Sequence, residues 1–120
     1  MAKIANSLIS LYQSALPLCE PRKIALNLDL ADPTLTIDLD QATLTKQLMP
    51  HLHSAITRTP RNGTITLGAY REGKTISIFI KDTGEAIPRS DRTTLTAEHP
   101  RLRIHSRHGY GTTITLDFHT

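Results

Sequence analysis

Tryptophan is missing from this chain, and aromatic residues make up only 4% of its 120 residues, as two Phe and three Tyr. A core of stacked rings is therefore excluded, and packing has to come from the recurrent Leu and Ile. Cysteine occurs once, at Cys19, which rules out an intrachain disulfide and gives no sign of an oxidising compartment. Cys19 lies in an apolar run, the setting of a buried, unreactive thiol. No stretch reaches the roughly 20 apolar residues that span a bilayer. The N-terminal segment offers only Lys3 and a polar-interrupted run where a signal peptide has a long apolar centre. A cytoplasmic protein without membrane contact is expected. Neither sign of charge dominates: 14 Lys and Arg against 11 Asp and Glu leave a formal net charge of +3. That balance is too weak to imply nucleic acid by itself.

What is present reads as one domain over residues 1–120. Ile4, Leu8, Leu11, Tyr12, Ala15 and Leu18 recur at helical spacing, with Pro17 expected to end or kink the helix. Ile24, Leu26, Leu28 and Leu30 alternate with polar residues, the period of a half-buried strand, and Leu35 and Ile37 continue beyond the Asp32-Pro33 turn. Asp40 suits the N-cap of a second helix whose buried stripe is Leu44, Leu48, Leu52, Ala55 and Ile56. Pro50 predicts a kink or an early break in it. Residues 64–81 form the clearest hairpin, with Ile76, Ile78 and Ile80 facing the core beside Leu116 and Leu52. Residues 82–100 are polar without clear period, and two short strands follow around Ile104 and Leu116, joined by a Gly-rich turn. This order predicts an α+β two-layer sandwich: a mixed sheet of about five strands with two long helices on one face.

Four segments, in order and in matching local context, resemble the ATP-binding domain of histidine kinases in the GHKL superfamily, whose Bergerat-type fold is the same sandwich. Ile37-Asp38-Leu39-Asp40 with Leu44 and Leu48 resembles the lead-in to the first motif helix. Ala55-Ile56-Thr57-Arg58-Thr59-Pro60, followed by Asn62-Gly63, resembles the "NAiky tp…G" segment. Asp82-Thr83-Gly84-Glu85-Ala86-Ile87-Pro88 resembles the "DtGxGIp" box, and Ser106 to Thr112 the closing "S..G.GT" hairpin. The resemblance implies that Asp82 accepts from the adenine amino group, that Gly84 and Ile87 shape the same box, and that Thr112 supports the pocket. Read without it, Asp-Thr-Gly after a strand is also simply a good turn, in which glycine permits close backbone approach.

The departures from the pattern are chemical. Where the family has Asn-Leu-x-x-Asn-Ala, this chain has Pro50, His51, Leu52, His53, Ser54 and Ala55, so Ser54 stands where a magnesium-ligating Asn is implied. A lone hydroxyl is a poor ligand for octahedral Mg²⁺. Ala86 replaces the second glycine of the box, and no glycine occurs between residues 89 and 105, where the family has its lid and phosphate loop. The domain is thus expected to be truncated there, the loop holding Arg89 and Arg92 to be disordered, and no helix N-terminus to stand ready for phosphates. None of the six histidines is followed by an acid, as a phosphoacceptor would be. His51 and His53, two apart on a helix, do not converge as metal ligands.

The expectation is a degenerate, pseudokinase-like domain of a two-component system: a non-catalytic module docking on a kinase or response regulator. No cofactor is expected, and ATP and Mg would bind weakly if at all. The alternatives are an ATP-binding catalytic domain with a shortened lid, favoured by Asp82, Gly84 and Thr112, and a small basic adaptor for nucleic acid or an acidic protein. The last rests on Arg101, Arg103, His105 and Arg107, whose strict alternation predicts one shared cationic face. Without interleaved aromatics, single-stranded nucleic acid is disfavoured.

Overall fold

The computed structural model describes residues 2–119. Strands β1 (Ala2–Lys3) and β3 (Thr36–Ile37) pair with each other as a small antiparallel ribbon, so the segment after the Asp32-Pro33 turn joins the N-terminus rather than the main sheet. That sheet consists of β2 (Ala25–Leu30), β4 (Thr64–Glu72), β5 (Thr75–Asp82), β6 (Leu102–Arg107) and β7 (Gly111–His119), in the order β2-β4-β5-β7-β6. β2 runs parallel to β4, and the other neighbours are antiparallel. The mixed sheet follows from the connections: tight turns join β4 to β5 and β6 to β7, whereas a helix intervenes between β2 and β4.

Helices α1 (Ile4–Cys19) and α2 (Gln41–Arg58) pack on each other and on one face of this sheet, as expected. Leu8, Leu11, Leu48 and Leu52 from the helices meet Ile65, Ile78 and Ile80 from the strands with no exposed area to speak of. Leu116 and Ile76 are likewise buried, and the thiol of Cys19 is sealed in the same core, which raises its pKa. Asp40 caps α2, its carboxylate accepting from the Thr43 N–H at 2.8 Å and from the Thr43 hydroxyl at 2.7 Å.

Three local expectations need correction. α1 runs two residues past Pro17 and passes into a 3-10 turn at Glu20–Arg22, and Leu18, placed in its apolar stripe, is 49% exposed. A proline this near a helix end removes one N–H from the final turn without stopping the chain's helical course. α2 likewise continues through Pro50 to Arg58, held by the burial of Leu48, Leu52, Ala55 and Ile56 on both sides of it. Packing of an amphipathic face outweighs the lost hydrogen bond.

The third correction is the largest. The polar stretch expected to be loose forms a helix, α3 (Arg89–Glu98), that begins directly after Pro88. Its period is hidden because Leu95 is its single aliphatic side chain larger than alanine, and that side chain packs against the main core. The hydroxyls of Thr93, Thr94 and Thr96 donate to carbonyls four residues back, which hides these polar groups within the helix. A helix N-terminus therefore does stand after the Ile87-Pro88 pair. No helix among the described residues is long and apolar enough to cross a membrane.

Candidate functional site

Asp82 closes β5, where the sheet register sets it beside Ile65 of β4 and Thr112 of β7. Its side chain has 0% exposure. Oδ1 accepts from the Gly84 N–H at 2.9 Å, and Oδ2 accepts from Nη2 of Arg58 at 2.8 Å. Each carboxylate oxygen thus already has a donor, and the carboxylate has no surface to offer. Arg58 is the last residue of α2, and its side chain is 17% exposed, so the guanidinium lies between Asp82 and the outside.

The pair makes a single contact, and Nε of Arg58 is buried without a hydrogen-bond partner. An unpaired buried donor costs about 1–3 kcal/mol, so this arrangement is held by its surroundings. Those surroundings are visible. The Arg22 guanidinium donates to the carbonyls of Ile56 and Thr59, which closes the end of α2 that a helix otherwise leaves open. Gly84 lies so close to α2 that a Cβ there would stand 2.3 Å from the Arg58 carbonyl oxygen. The glycine of the box is therefore required by the chain's own backbone, and the adjacent Glu85 N–H donates to that same carbonyl at 3.3 Å. Gly111 plays the matching role from β7, with φ +86° and a hypothetical Cβ 2.1 Å from the Asp82 carbonyl oxygen.

Thr112 is buried and works inside this knot. Its hydroxyl shares a hydrogen bond of 2.7 Å with the Ser106 hydroxyl, which accepts from the Ile87 N–H at 2.7 Å. Asp82, Gly84, Ile87 and Thr112 are accordingly brought together, as the sequence suggested. Ser54 is not part of the knot: it is exposed on α2, one turn before Arg58. Beside the knot opens a cavity of about 520 Å³. Ile87, Pro88 and Leu95 supply apolar wall, and Arg58, Glu85 and Asp91 supply charge.

Sequence reasoning missed Arg58 as the partner of Asp82. The signal was there: an arginine occupies the aromatic position of the "NAiky tp" pattern. Arg22 had no signal, because its targets lie 34 and 37 residues away in the chain.

The two neighbouring histidines of α2 part company. His53 is exposed, whereas His51 is buried, its ring 5.9 Å from that of His99 in an edge-on contact. Burial first, then the charges of His99 and Arg58, pull the His51 imidazole below its ordinary pKa. The cationic stripe divides as well. Arg103 is bonded to Asp117 at 2.5 and 3.0 Å, and Asp117 in turn accepts from Ser77. Arg101 instead stacks on Phe118 at 5.0 Å. Asp117 and Phe118 are successive residues of β7 and point to opposite faces, so Arg101 turns to the helix side while Arg103 stays on the open side. Arg101 precedes the first residue of β6, so strand alternation does not bind it. His105 and Arg107 are exposed, and Arg107 lies 5.4 Å from the ring of Tyr110.

No family model matches the chain. The adaptive-response sensory kinase SasA of Synechocystis sp. is 27% identical over 118 residues, 97% of this chain and 30% of that protein. SasA of Synechococcus elongatus is 41% identical over 81 residues, 66% of this chain and 20% of that protein. The chain thus spans between 15% and 31% of the length of the curated relatives it matches. In structure, the catalytic domain of histidine kinase ThkA superposes with a TM-score of 0.85 at 13% identity, covering 98% of this chain and 92% of that domain. ThkA is also known in complex with the response regulator TrrA, with a TM-score of 0.78 at 15% identity over 95% of this chain and 40% of that one. With the strand order, the helix pair on one face and the Asp-Thr-Gly box at the end of β5 all in place, the described residues form a histidine-kinase-like ATPase domain of the GHKL fold.

Proposed function

We propose that this chain is a non-catalytic binding module of a two-component signalling system, docking on a kinase or response regulator instead of transferring phosphate. The observation that carries this reading is the Arg58–Asp82 pair. An adenine amino group needs a carboxylate oxygen it can reach, and here Oδ2 is held by Arg58 while the whole side chain lacks exposure. The phosphate end supports the same reading. Ser54 is exposed with a hydroxyl where the resemblance asks for an amide, and the N-terminus of α3 carries Asp91 in its first turn, a negative charge that opposes phosphate, with no glycine loop before it. The residues present therefore do not fit ATP with Mg²⁺, and no phosphoryl step is derived for them. A protein partner is in keeping with ThkA, which is known bound to a response regulator.

Titration calorimetry with ATP, with and without magnesium, tests the proposal. The expected result is no magnesium-dependent heat. Micromolar, magnesium-dependent ATP binding that disappears in Asp82→Asn would refute it and reinstate an ATP-binding catalytic domain.

A further inference from the structure

A second cavity, of about 440 Å³, opens where α3 meets the end of the β6–β7 hairpin. Arg92 of α3, His105 and Arg107 of β6, Thr113 of β7 and Tyr110 of the turn line it. It has no residue in common with the cavity beside Asp82, which takes Asp91, Thr94 and Leu95 from α3. Two guanidiniums and an imidazole share this space, and among the described residues no acidic side chain lines it. Asp117, further along β7, does not neutralise them, because it is held by Arg103 and Ser77. Lys81 is the cross-strand partner of Thr113 on β5 and is exposed, so it adds a positive charge on the side where His105 lies.

Arg92 has donors left over. Its guanidinium makes one hydrogen bond among the described residues, to the Ser106 carbonyl at a long 3.4 Å, and its Nε is buried without an acceptor. A guanidinium offers five N–H donors, so most of this one is unused. Arg107 is exposed and lies 5.4 Å from the ring of Tyr110, which is itself 77% exposed. A cationic cavity of this kind calls for an anion, and the choice of anion follows from charge and shape. A phosphomonoester brings about two negative charges and three acceptor oxygens, and a guanidinium fork matches two of those oxygens at once. A carboxylate or a phosphodiester brings a single charge and leaves one of the two arginines without a counter-ion. The exposed face of Tyr110 suits a flat organic group. We infer that this cavity binds a phosphomonoester that carries an aromatic group, with the phosphate on Arg92, His105 and Arg107 and the ring against Tyr110. The inference goes beyond the non-catalytic reading and does not depend on it.

The test is calorimetry with amide chemical-shift mapping on the whole chain, in phosphate-free buffer without magnesium, using phenyl phosphate as probe. Saturable binding is expected, with shifts at His105, Arg107, Gly111 and Thr113 and none at Gly84 or Glu85. Phenyl sulfate has the same shape with one charge, and it should bind about tenfold more weakly. Arg107→Gln alters an exposed side chain and should weaken phenyl phosphate about tenfold or more, the loss of one charge-assisted hydrogen bond. Arg92→Gln should do the same, with circular dichroism and the urea midpoint checking that α3 is kept. Lys46→Gln removes an equal charge from an exposed position on α2 and should change binding little. N-acetyl-phosphotyrosine amide separates two sources of the same chemistry. Binding as tight as that of phenyl phosphate supports a phosphorylated side chain as the ligand, and binding confined to phenyl phosphate supports a free small ester. Absence of saturable binding overturns the inference. So does equal affinity for phenyl sulfate, or an equal loss in Lys46→Gln and Arg107→Gln, which would reduce the effect to general charge attraction.

Discussion

If Arg58 and Asp82 form a true buried pair, a double-substitution cycle must reveal it. The nitrogen and oxygen stand 2.8 Å apart, and the side chains are 17% and 0% exposed. With charge centres roughly 4 Å apart and an effective dielectric of about 20, the attraction is about 4 kcal/mol. Removing two charges from water offsets part of that, and hydrogen bonds to charged groups retain a net of about 1.5–3 kcal/mol. The single-pronged geometry and the unpaired Nε argue for the lower half of that range. Urea denaturation of the native chain, Arg58→Ala, Asp82→Asn and the double variant gives the coupling as the departure from additivity. We expect about 1.5–2 kcal/mol, only weakly changed between low and high salt, because a mostly buried pair is poorly screened. A coupling below about 0.5 kcal/mol, or one that vanishes with added salt, is the signature of a solvated surface pair. That result would remove the reason for regarding Asp82 as occupied.

Pro50→Ala should stabilise the domain by about 1–3 kcal/mol in the same assay, since α2 runs through the proline and would regain an N–H donor there; unchanged stability would mean the helix is already relaxed around the ring. The lowered pKa of His51 fixes the sign of its pH dependence. The unfolded imidazole takes up a proton near pH ~6.5 and the folded one resists it, so its contribution is complete above that pH and is lost as pH falls towards the folded value. The urea midpoint should therefore drop between about pH 7.5 and pH 5.5, and less so in His51→Leu; equal slopes in both proteins would contradict the burial argument. If an acidic partner docks along the β6 edge, Arg107→Glu with His105→Glu should abolish binding on the open side, while Arg101→Glu, which points to the helices, should have little effect. Surface plasmon resonance against a cognate response regulator would separate these, and an equal loss from Arg101→Glu would restore a single shared face.

Alternation and helical spacing made most of the fold legible. The isoleucines of β5 and the leucines of α2 fall where those periods put them, and the Asp40 cap is a local device that needs only the next three residues. α3 was illegible because one leucine cannot display a period, and its polar side chains hide their hydroxyls in its own carbonyls. The site was legible in part. Asp82, Gly84, Ile87 and Thr112 were named together because their motifs are contiguous in sequence. The contact that decides their chemistry was not, because Arg58 reaches Asp82 across 24 residues. Ser54 was carried over by position in a motif, and position alone does not say that a side chain shares a site. The cationic stripe failed at one residue because alternation governs a strand only from its first paired residue, Leu102 onwards.

The parallel seam between β2 and β4 has a consequence for the order in which the domain assembles. The hairpins β4–β5 and β6–β7 close over a few residues, and their registers can be searched locally. The seam joins Ala25 to Thr64 and Leu30 to Ala69, with all of α2 intervening. Its closure entropy must be met before any of its contacts form, which places it late in folding. β2 is also one of the two edge strands and has a half-solvated Leu28, 40% exposed, so it can leave without splitting the rest of the sheet. Brief detachment of β2 would bare the Thr64–Ala69 edge while the Arg58–Asp82 knot, three strands wide at its base, stays closed. The edge can thus open while the central strands that carry Asp82 stay paired, and slow hydrogen exchange should persist around Asp82 after the β2 amides have exchanged.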